Sequence, residues 1–390
     1  MGGILDEPRT DTPSPPLPFI ARLRIVRRQT TRLGILILIT IAAFGLTRWM
    51  AGTARAMHHD DAARWHALGQ QRLAGSDTAG AITALRNAAM MNPEARAVQF
   101  ELAAAYRKAG TPAEARNVLL RMRQQFPEDP EVNLRLATLD AENGRTEEAI
   151  RHYQATLLAL WGPQQLDRRR SLRTRYIEYL LAHDLGPRAL SETLLLAGEI
   201  PDDVASHITV GDLLLRSGDP GRGLIQFEAA LELEPRNRNA LARAGEAAFE
   251  SGSFRAAHRD LTRAGEPGSA ELLVLVDTII SLDPLLPGLT TGERHRRVLS
   301  ASARLTAELA SCRSRLCETA GARCDQAAGI VKELETARAA LRRRRASDEA
   351  VDAGLSTVTS ISERVTAVCQ TAGTTGRALE LIARHHGVGQ

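Results

Sequence analysis

Lysine is almost absent from this chain: Lys108 and Lys332 stand alone among fifty basic residues, and the rest are arginine, which points to a GC-rich bacterial genome. Aromatic residues are scarce too, at 4% of 390 residues. Sandwiches and barrels lean on aromatic and β-branched side chains, whereas the abundance here is in Ala, Leu, Arg and Glu, which are strong helix formers. An all-β architecture is excluded. No charge excess runs through the chain either. Its net +4 is concentrated in residues 1–32, which hold six Arg against three acids; the remainder carries 44 basic and 43 acidic groups. That balance offers no broad basic surface to a polyanion, so nucleic acid is not an expected partner. The motifs of common chemistry are missing as well. There is no Gly-rich phosphate loop, His-Glu-x-x-His, Gly-x-Ser-x-Gly or Cys-x-x-Cys-His. No enzyme activity, cofactor or metal site is expected, and the doublets His58-His59 and His385-His386 read as exposed polar residues of linkers or tails.

The amino terminus has its own grammar. Five of the 17 prolines fall within residues 1–18, and residues 1–32 read as a disordered, Pro- and Arg-rich tail. Arg22, Arg24, Arg27, Arg28 and Arg32 precede an uncharged run from Leu33 to Thr47. Fifteen residues are short against the ~20 that cross a bilayer, but Trp49, Met50 and Ala51 extend the run if Arg48 snorkels. The expectation is a signal anchor over 33–52 in a bacterial cytoplasmic membrane, with a linker at 53–61. By the positive-inside rule the tail is then cytoplasmic and the rest exported to the periplasm. Two alternatives stand beside it. Ala54-Arg55-Ala56 has the form of a cleavage site, which would release the chain after Ala56, and a short apolar run can also be a core helix.

A repeat fills the middle. Small residues recur at Ala81, Ala115, Ala149, Ala189, Gly223 and Ala257, in steps of 34, 34, 40, 34 and 34. Four residues after five of them stands a large side chain: Leu85, Leu119, Tyr153, Phe227 and Leu261. Thr193 breaks the rule in the fourth unit. Twelve residues before each small residue come Gly69, Ala103, Ala137, Ile177, Gly211 and Gly245. Prolines follow at Pro93, Pro127, Pro201 and Pro235, and turn glycines at Gly110, Gly144, Gly218 and Gly252. The set Trp65-His66-Ala67-Leu68-Gly69, Ala81, Leu85, Ala88 and Pro93 resembles the tetratricopeptide repeat, as does Val210-Gly211, Gly223, Phe227, Ala230 and Pro235. The likeness covers six units over 62–269, with six extra residues near 162–169. Ile177, Thr193 and Trp161, the last where the third unit would carry Pro, depart from it.

The resemblance implies an all-α solenoid of helix pairs, a right-handed superhelix that binds a peptide or protein helix on its concave face. It places His66, Gln70, Phe100, Arg107, Leu134, Glu178, Ile208, Asp212, Glu246 and Phe249 on that face. Phe100, Leu134, Ile208 and Phe249 would be apolar anchors, Arg107 a basic contact, and Glu178, Asp212 and Glu246 an acidic later half. The Lys/Asn clamp of some relatives is replaced by His66 and Gln70. Two readings of these acids stay open: a solvated helix face, or a groove for an apolar, somewhat basic peptide.

Beyond Ser269 the spacing is lost. A capping helix and linker are expected over 270–289, with Asp283-Pro284 and Pro287-Gly288 breaking the chain. Residues 290–390 show heptad-like seams and read as an antiparallel helical bundle or coiled-coil hairpin. All four cysteines, Cys312, Cys317, Cys324 and Cys369, lie there. Two disulfides are expected from an even count in one exported domain; zinc binding and buried free thiols are the alternatives, and the pairing stays open. Two functions fit the whole. One is a membrane-anchored scaffold binding a protein client during envelope assembly or secretion. The other is an accessory subunit of a catalytic complex, as in glycan export or cytochrome maturation.

Overall fold

A computed structural model describes the backbone of residues 19–318, 321–343 and 345–387. On the amino-terminal helix it describes side chains at 34, 36–50 and from 60 onward. Among the described residues every regular element is helical. Two compact units make up the chain, Met1–Leu160 and Trp161–Gln390.

The first unit holds α1 (Phe19–Ala74), α2 (Thr78–Met91), α3 (Arg96–Lys108), α4 (Pro112–Gln125), α5 (Pro130–Glu142) and α6 (Thr146–Leu158). The second opens with α7 (Leu166–Ala182), α8 (Gly186–Ala197), α9 (Val204–Arg216), α10 (Pro220–Leu233), α11 (Arg238–Glu250) and α12 (Phe254–Ala264). It continues with α13 (Ala270–Leu282), α14 (Thr291–Leu316), α15 (Ala322–Arg343), α16 (Asp348–Cys369) and α17 (Thr374–His386). Six helix pairs run from the end of α1 with α2 to α11 with α12. Of the six extra residues before the fourth pair, some form a 3-10 turn at Pro163–Gln165. Others lengthen α7 to 17 residues, where α3, α5, α9 and α11 have 13.

Three of the pairs, the first, fifth and sixth, are closed by a close approach between residues sixteen apart. A Cβ on Gly69 would lie 2.7 Å from Leu85 Cγ, one on Gly211 2.5 Å from Phe227 Cε1, and one on Gly245 2.6 Å from Leu261 Cγ. Leu85, Phe227 and Leu261 are fully buried. The fourth pair inverts the sizes: Ile177 stands at the small position and Thr193 at the large one, both buried. The Thr193 hydroxyl donates to Ala189 O at 2.7 Å, so the buried polar group is satisfied within its own helix. Two departures from the repeat pattern thus occupy one packing pair and offset each other in volume.

The turn inside each pair needs a left-handed residue. Gly110, Gly144, Gly218 and Gly252 supply it with φ of 74°, 69°, 88° and 78°. At the same step of the first and fourth pairs stand Ser76 (φ 62°) and Asp184 (φ 57°). Six turns share one backbone geometry, and two of them hold it with a Cβ.

Three expectations are corrected. Among the described residues no helix is long and apolar enough to cross a membrane. The uncharged run stops at fifteen residues and Arg48 closes it, short of the ~20 a bilayer demands. The span at 33–52 and the localisation built on it, a single-pass membrane protein with its repeats exported to the periplasm, are withdrawn. Residues 53–61 are not a linker but part of α1, and residues 19–32 are helical too. No proline falls between Pro18 and Pro93, and the Ala-rich sequence after Met50 lets the helix run on into the first repeat. The tail at 1–18 lies outside the described residues.

At 270–289 a helix, α13, does pack on the last repeat, and the third correction concerns the linker alone. This segment joins rather than separates. Leu275, Val276, Ile279 and Leu282 of α13 share one core with Phe254 and Leu261 of the last repeat and with α14 to α17. Asp283, in the break after α13, is wholly buried. Its carboxylate accepts from Leu285 N at 2.8 Å and lies 3.0 Å from His386 Nε2, while Arg297 donates to its carbonyl at 2.9 Å. His386 is therefore a partner of a buried acid and not a loose tail residue. Cys312 is bonded to Cys369, and Cys317 to Cys324. The first bridge ties α14 to the end of α16; the second spans the turn between α14 and α15.

Two outcomes follow from these contacts. Ser76→Gly and Asp184→Gly should each raise stability by about 0.5–1 kcal/mol, because the left-handed Cβ penalty outweighs the added freedom of the unfolded chain; denaturant titration of each variant reads this. Reduction should lower the melting temperature of residues 161–390 as a body, including the last repeat, because the core is continuous there. The loop of 57 residues closed by Cys312–Cys369 contributes about 4 kcal/mol by chain entropy and the loop of 7 closed by Cys317–Cys324 about 2. Residues 62–158 contain no cysteine, and calorimetry should show their transition unmoved by reductant.

Candidate functional site

Within each unit the first helices of successive repeats lie side by side, and their side chains pair one repeat apart. In the first unit His66 Nε2 lies 2.9 Å from Glu101 Oε2, and Gln70 Nε2 donates to Glu101 Oε1 at 3.0 Å. Arg107 Nη1 donates to Glu142 at 2.9 Å. The Arg135 guanidinium sits 4.5 Å above the Phe100 ring and is held by Glu131 at 2.8 Å. The Phe100 ring, half-buried beside the first unit's core, is thus capped by a cation. Leu134 is half-buried next to this pair.

In the second unit Arg243 Nε donates to Asp212 at 2.5 Å, and its Nη1 pairs with Glu246. Glu178 is exposed on α7, and Ile208 is half-buried on α9, packed beside Phe227. Asp212, Glu246 and Glu178 outnumber Arg243 and the exposed Arg175, which stands on α7 at the repeat position of Arg243, so these residues together keep a negative balance of one charge. Phe249 is held differently: its ring packs against Phe254, with centroids 5.9 Å apart, and against the core shared with α13 to α17. The ring is half-buried, as that of Phe100 is.

Sequence reasoning did not name Glu101, Arg135, Glu142 or Arg243, the residues that pair with the expected face. A signal for them existed. Each pair is separated by 31 or 35 residues, one repeat less three or plus one, so each expected site residue pointed to its neighbour in the next unit.

The most perturbed titratable group lies elsewhere, between α4, α5 and α6. Asp140 is wholly buried and accepts from Arg145 Nε at 2.7 Å and Arg116 Nε at 2.9 Å. His152 Nε2 is 3.5 Å from the other carboxylate oxygen, and Arg123 donates to His152 Nδ1 at 3.2 Å. Burial and the Arg123 charge push the His152 pKa down to about 4, against the opposing pull of Asp140. The imidazole is neutral, accepting from arginine on one nitrogen and facing aspartate with the other. This closed network fixes the second repeat against the third. Among the described residues no group of three or more His, Cys, Asp or Glu could hold a metal ion.

Sequence models of the tetratricopeptide repeat match residues 96–139, in the first unit, and 210–267, in the second. The chain therefore carries tetratricopeptide repeats, which are modules for binding protein or peptide partners and generally not catalysts. No curated protein matches the chain. Among solved structures it is similar to PilF of Pseudomonas aeruginosa, at 16% identity over 56% of this chain and 98% of that one, with a TM-score of 0.35. It is similar also to a tetratricopeptide repeat protein of Parabacteroides merdae, at 15% identity over 71% and 99%, with a TM-score of 0.36. A third is MamA of Desulfovibrio magneticus, at 16% identity over 45% and 95%, with a TM-score of 0.32.

The His152 network makes the first unit acid-sensitive. The unfolded imidazole binds its proton near pH 6.5 and the folded one only near pH 4. Between those values the unfolded chain holds more protons, so stability is full above about pH 6.5 and falls as pH drops toward 4. Denaturant titrations of the wild type over this window should show the loss, and His152→Gln, which cannot take up the proton, should flatten it.

Proposed function

We propose that the chain is a non-catalytic scaffold whose first-helix faces hold a segment of a protein partner, and that the face formed by α7, α9 and α11 selects an apolar, partly basic one. The observation that supports this most is the charge balance of that face. Asp212 and Glu246 share a single arginine, and Glu178 stands exposed on α7. A partner's lysine or arginine gains Coulomb attraction there without displacing an internal pair at Glu178, and Ile208 gives apolar contact alongside. The face of the first unit contributes differently: its charges are paired from repeat to repeat, and what it offers is the stacked Phe100–Arg135 platform with Leu134 beside it, and Arg107 bridged to Glu142. The expectation of an envelope role rested on the withdrawn span and has no other support.

Selection from a random peptide library tests the reading. The wild-type chain should enrich peptides that combine apolar residues with Lys or Arg. Charge reversal at Glu178→Lys and Glu246→Lys should weaken the enriched peptides by about 2- to 5-fold per site at low salt and shift enrichment away from basic residues. Enrichment of basic peptides that is indifferent to the reversal, or no enrichment of basic peptides by the wild type, overturns it.

A further inference from the structure

A cavity of about 280 Å³ lies in the first unit between α2 and α4, the second helices of the first two repeats, with α3 beneath them. Leu102 and Met122, both buried, form its floor, and Met90, two-thirds exposed, stands on its wall. Pockets for drug-sized ligands run from ~300 to 1,000 Å³, so this one suits one or two side chains of a partner better than a free metabolite. Methionine on both floor and wall gives a soft surface that adapts to an inserted aliphatic group.

Two arginines frame it, Arg86 from α2 and Arg121 from α4, and no carboxylate lines it. Arginines elsewhere in the unit hold carboxylates, as Arg107 holds Glu142, Arg116 and Arg145 hold Asp140, and Arg151 holds Glu148. Arg86 instead donates to the hydroxyl of Tyr106 at 2.8 Å, a neutral partner that fixes the guanidinium and leaves its charge unmatched. Arg121 is exposed, and no ion pair engages it among the described residues. Ala89, Pro93 and the neutral Gln99 and Gln125 complete the lining, so the two unmatched cations are the charges among its lining residues, and arginine reads carboxylates with directed, bidentate donors.

We propose that this cavity is a second docking site, and that its occupant is an acidic–aliphatic segment of a partner protein. One leucine or methionine side chain enters between Met90 and Met122, and flanking Asp or Glu carboxylates meet Arg86 and Arg121. The site is independent of the first-helix faces and of opposite charge preference, so one chain can hold two unlike segments.

The test uses the full chain and two fluorescein-labelled peptides, Asp-Leu-Glu-Met-Asp-Leu-Glu and its counterpart with every acid replaced by lysine. Anisotropy should show the acidic peptide binding, with at least a tenfold loss for Arg86→Gln combined with Arg121→Gln and a loss of about threefold for Met90→Ser. Both changes are at the surface, and thermal melts check that the fold is kept. In wild-type protein carrying ¹³C-methyl methionine, the acidic peptide should shift the Met90 and Met122 resonances and leave Met50 in place, which locates the site without any variant. Equal binding by the arginine double variant, equal binding of the lysine peptide at these methionines, or unmoved Met90 and Met122 resonances overturns the proposal.

Discussion

The contact between a small residue on one helix and a large one sixteen positions later sets the geometry on which the repeats depend. Where Gly69, Gly211 and Gly245 lack a Cβ, the facing Leu85, Phe227 and Leu261 fill the space to contact distance, and the two helices of a pair come close enough to exclude water. A lone pair buries too little to stand by itself, so the pairs are stable as neighbours in a stack. Stacking in turn lays the first helices side by side. That adjacency is what puts Glu101 within reach of His66 and Arg243 within reach of Asp212.

The same contact explains why so much of the repeat region was legible from sequence. A volume constraint at fixed spacing leaves a visible period, and the left-handed turn leaves a glycine wherever nothing else decides. The fourth unit departs from the pattern when its positions are taken one at a time. Ile177 and Thr193 each break a rule, yet together they keep the packed volume, and Asp184 holds the turn that glycine holds elsewhere. Pairwise reading recovers what column-wise reading lost. The pairing partners of the binding faces were hidden for a related reason: which charge meets which depends on a neighbour one repeat away, and no single window of sequence contains both.

Where period gives out, reading from composition failed in a consistent way. Pro284, Pro287 and Gly288 do break the chain, and a break was taken for a boundary. What decides the matter is burial, and Asp283 is buried with its carboxylate held by Leu285 N and His386 and its carbonyl by Arg297. A wholly buried carboxylate is tolerated only when its partners are fixed, so the turn has to be built into the core. At the other end, the uncharged run at 33–47 was extended across Arg48 to reach a span, although the charge that ends the run is also the reason it falls short.

This difference bears on how the second unit responds to its surroundings. Its last repeat shares one apolar core with α13 to α17, and within that core one disulfide ties α14 to the end of α16 while the other closes the turn between α14 and α15. Packing couples the bridges to the Phe249–Phe254 contact, and so to the end of the face that carries Glu246 on the same helix, α11. A ligand held near Glu246 therefore rests on a helix whose other side is anchored in a cross-linked core. Rigid support of that kind lowers the ordering cost of binding, because less conformational freedom remains to be lost. In the first unit the corresponding anchor is electrostatic: Asp140, its two arginines and a neutral His152 fix α5 from behind while Leu134 and Arg135 face outward. Two unlike devices, one covalent and one ionic, thus serve the same end of holding a first helix still while its exposed face remains open to a partner.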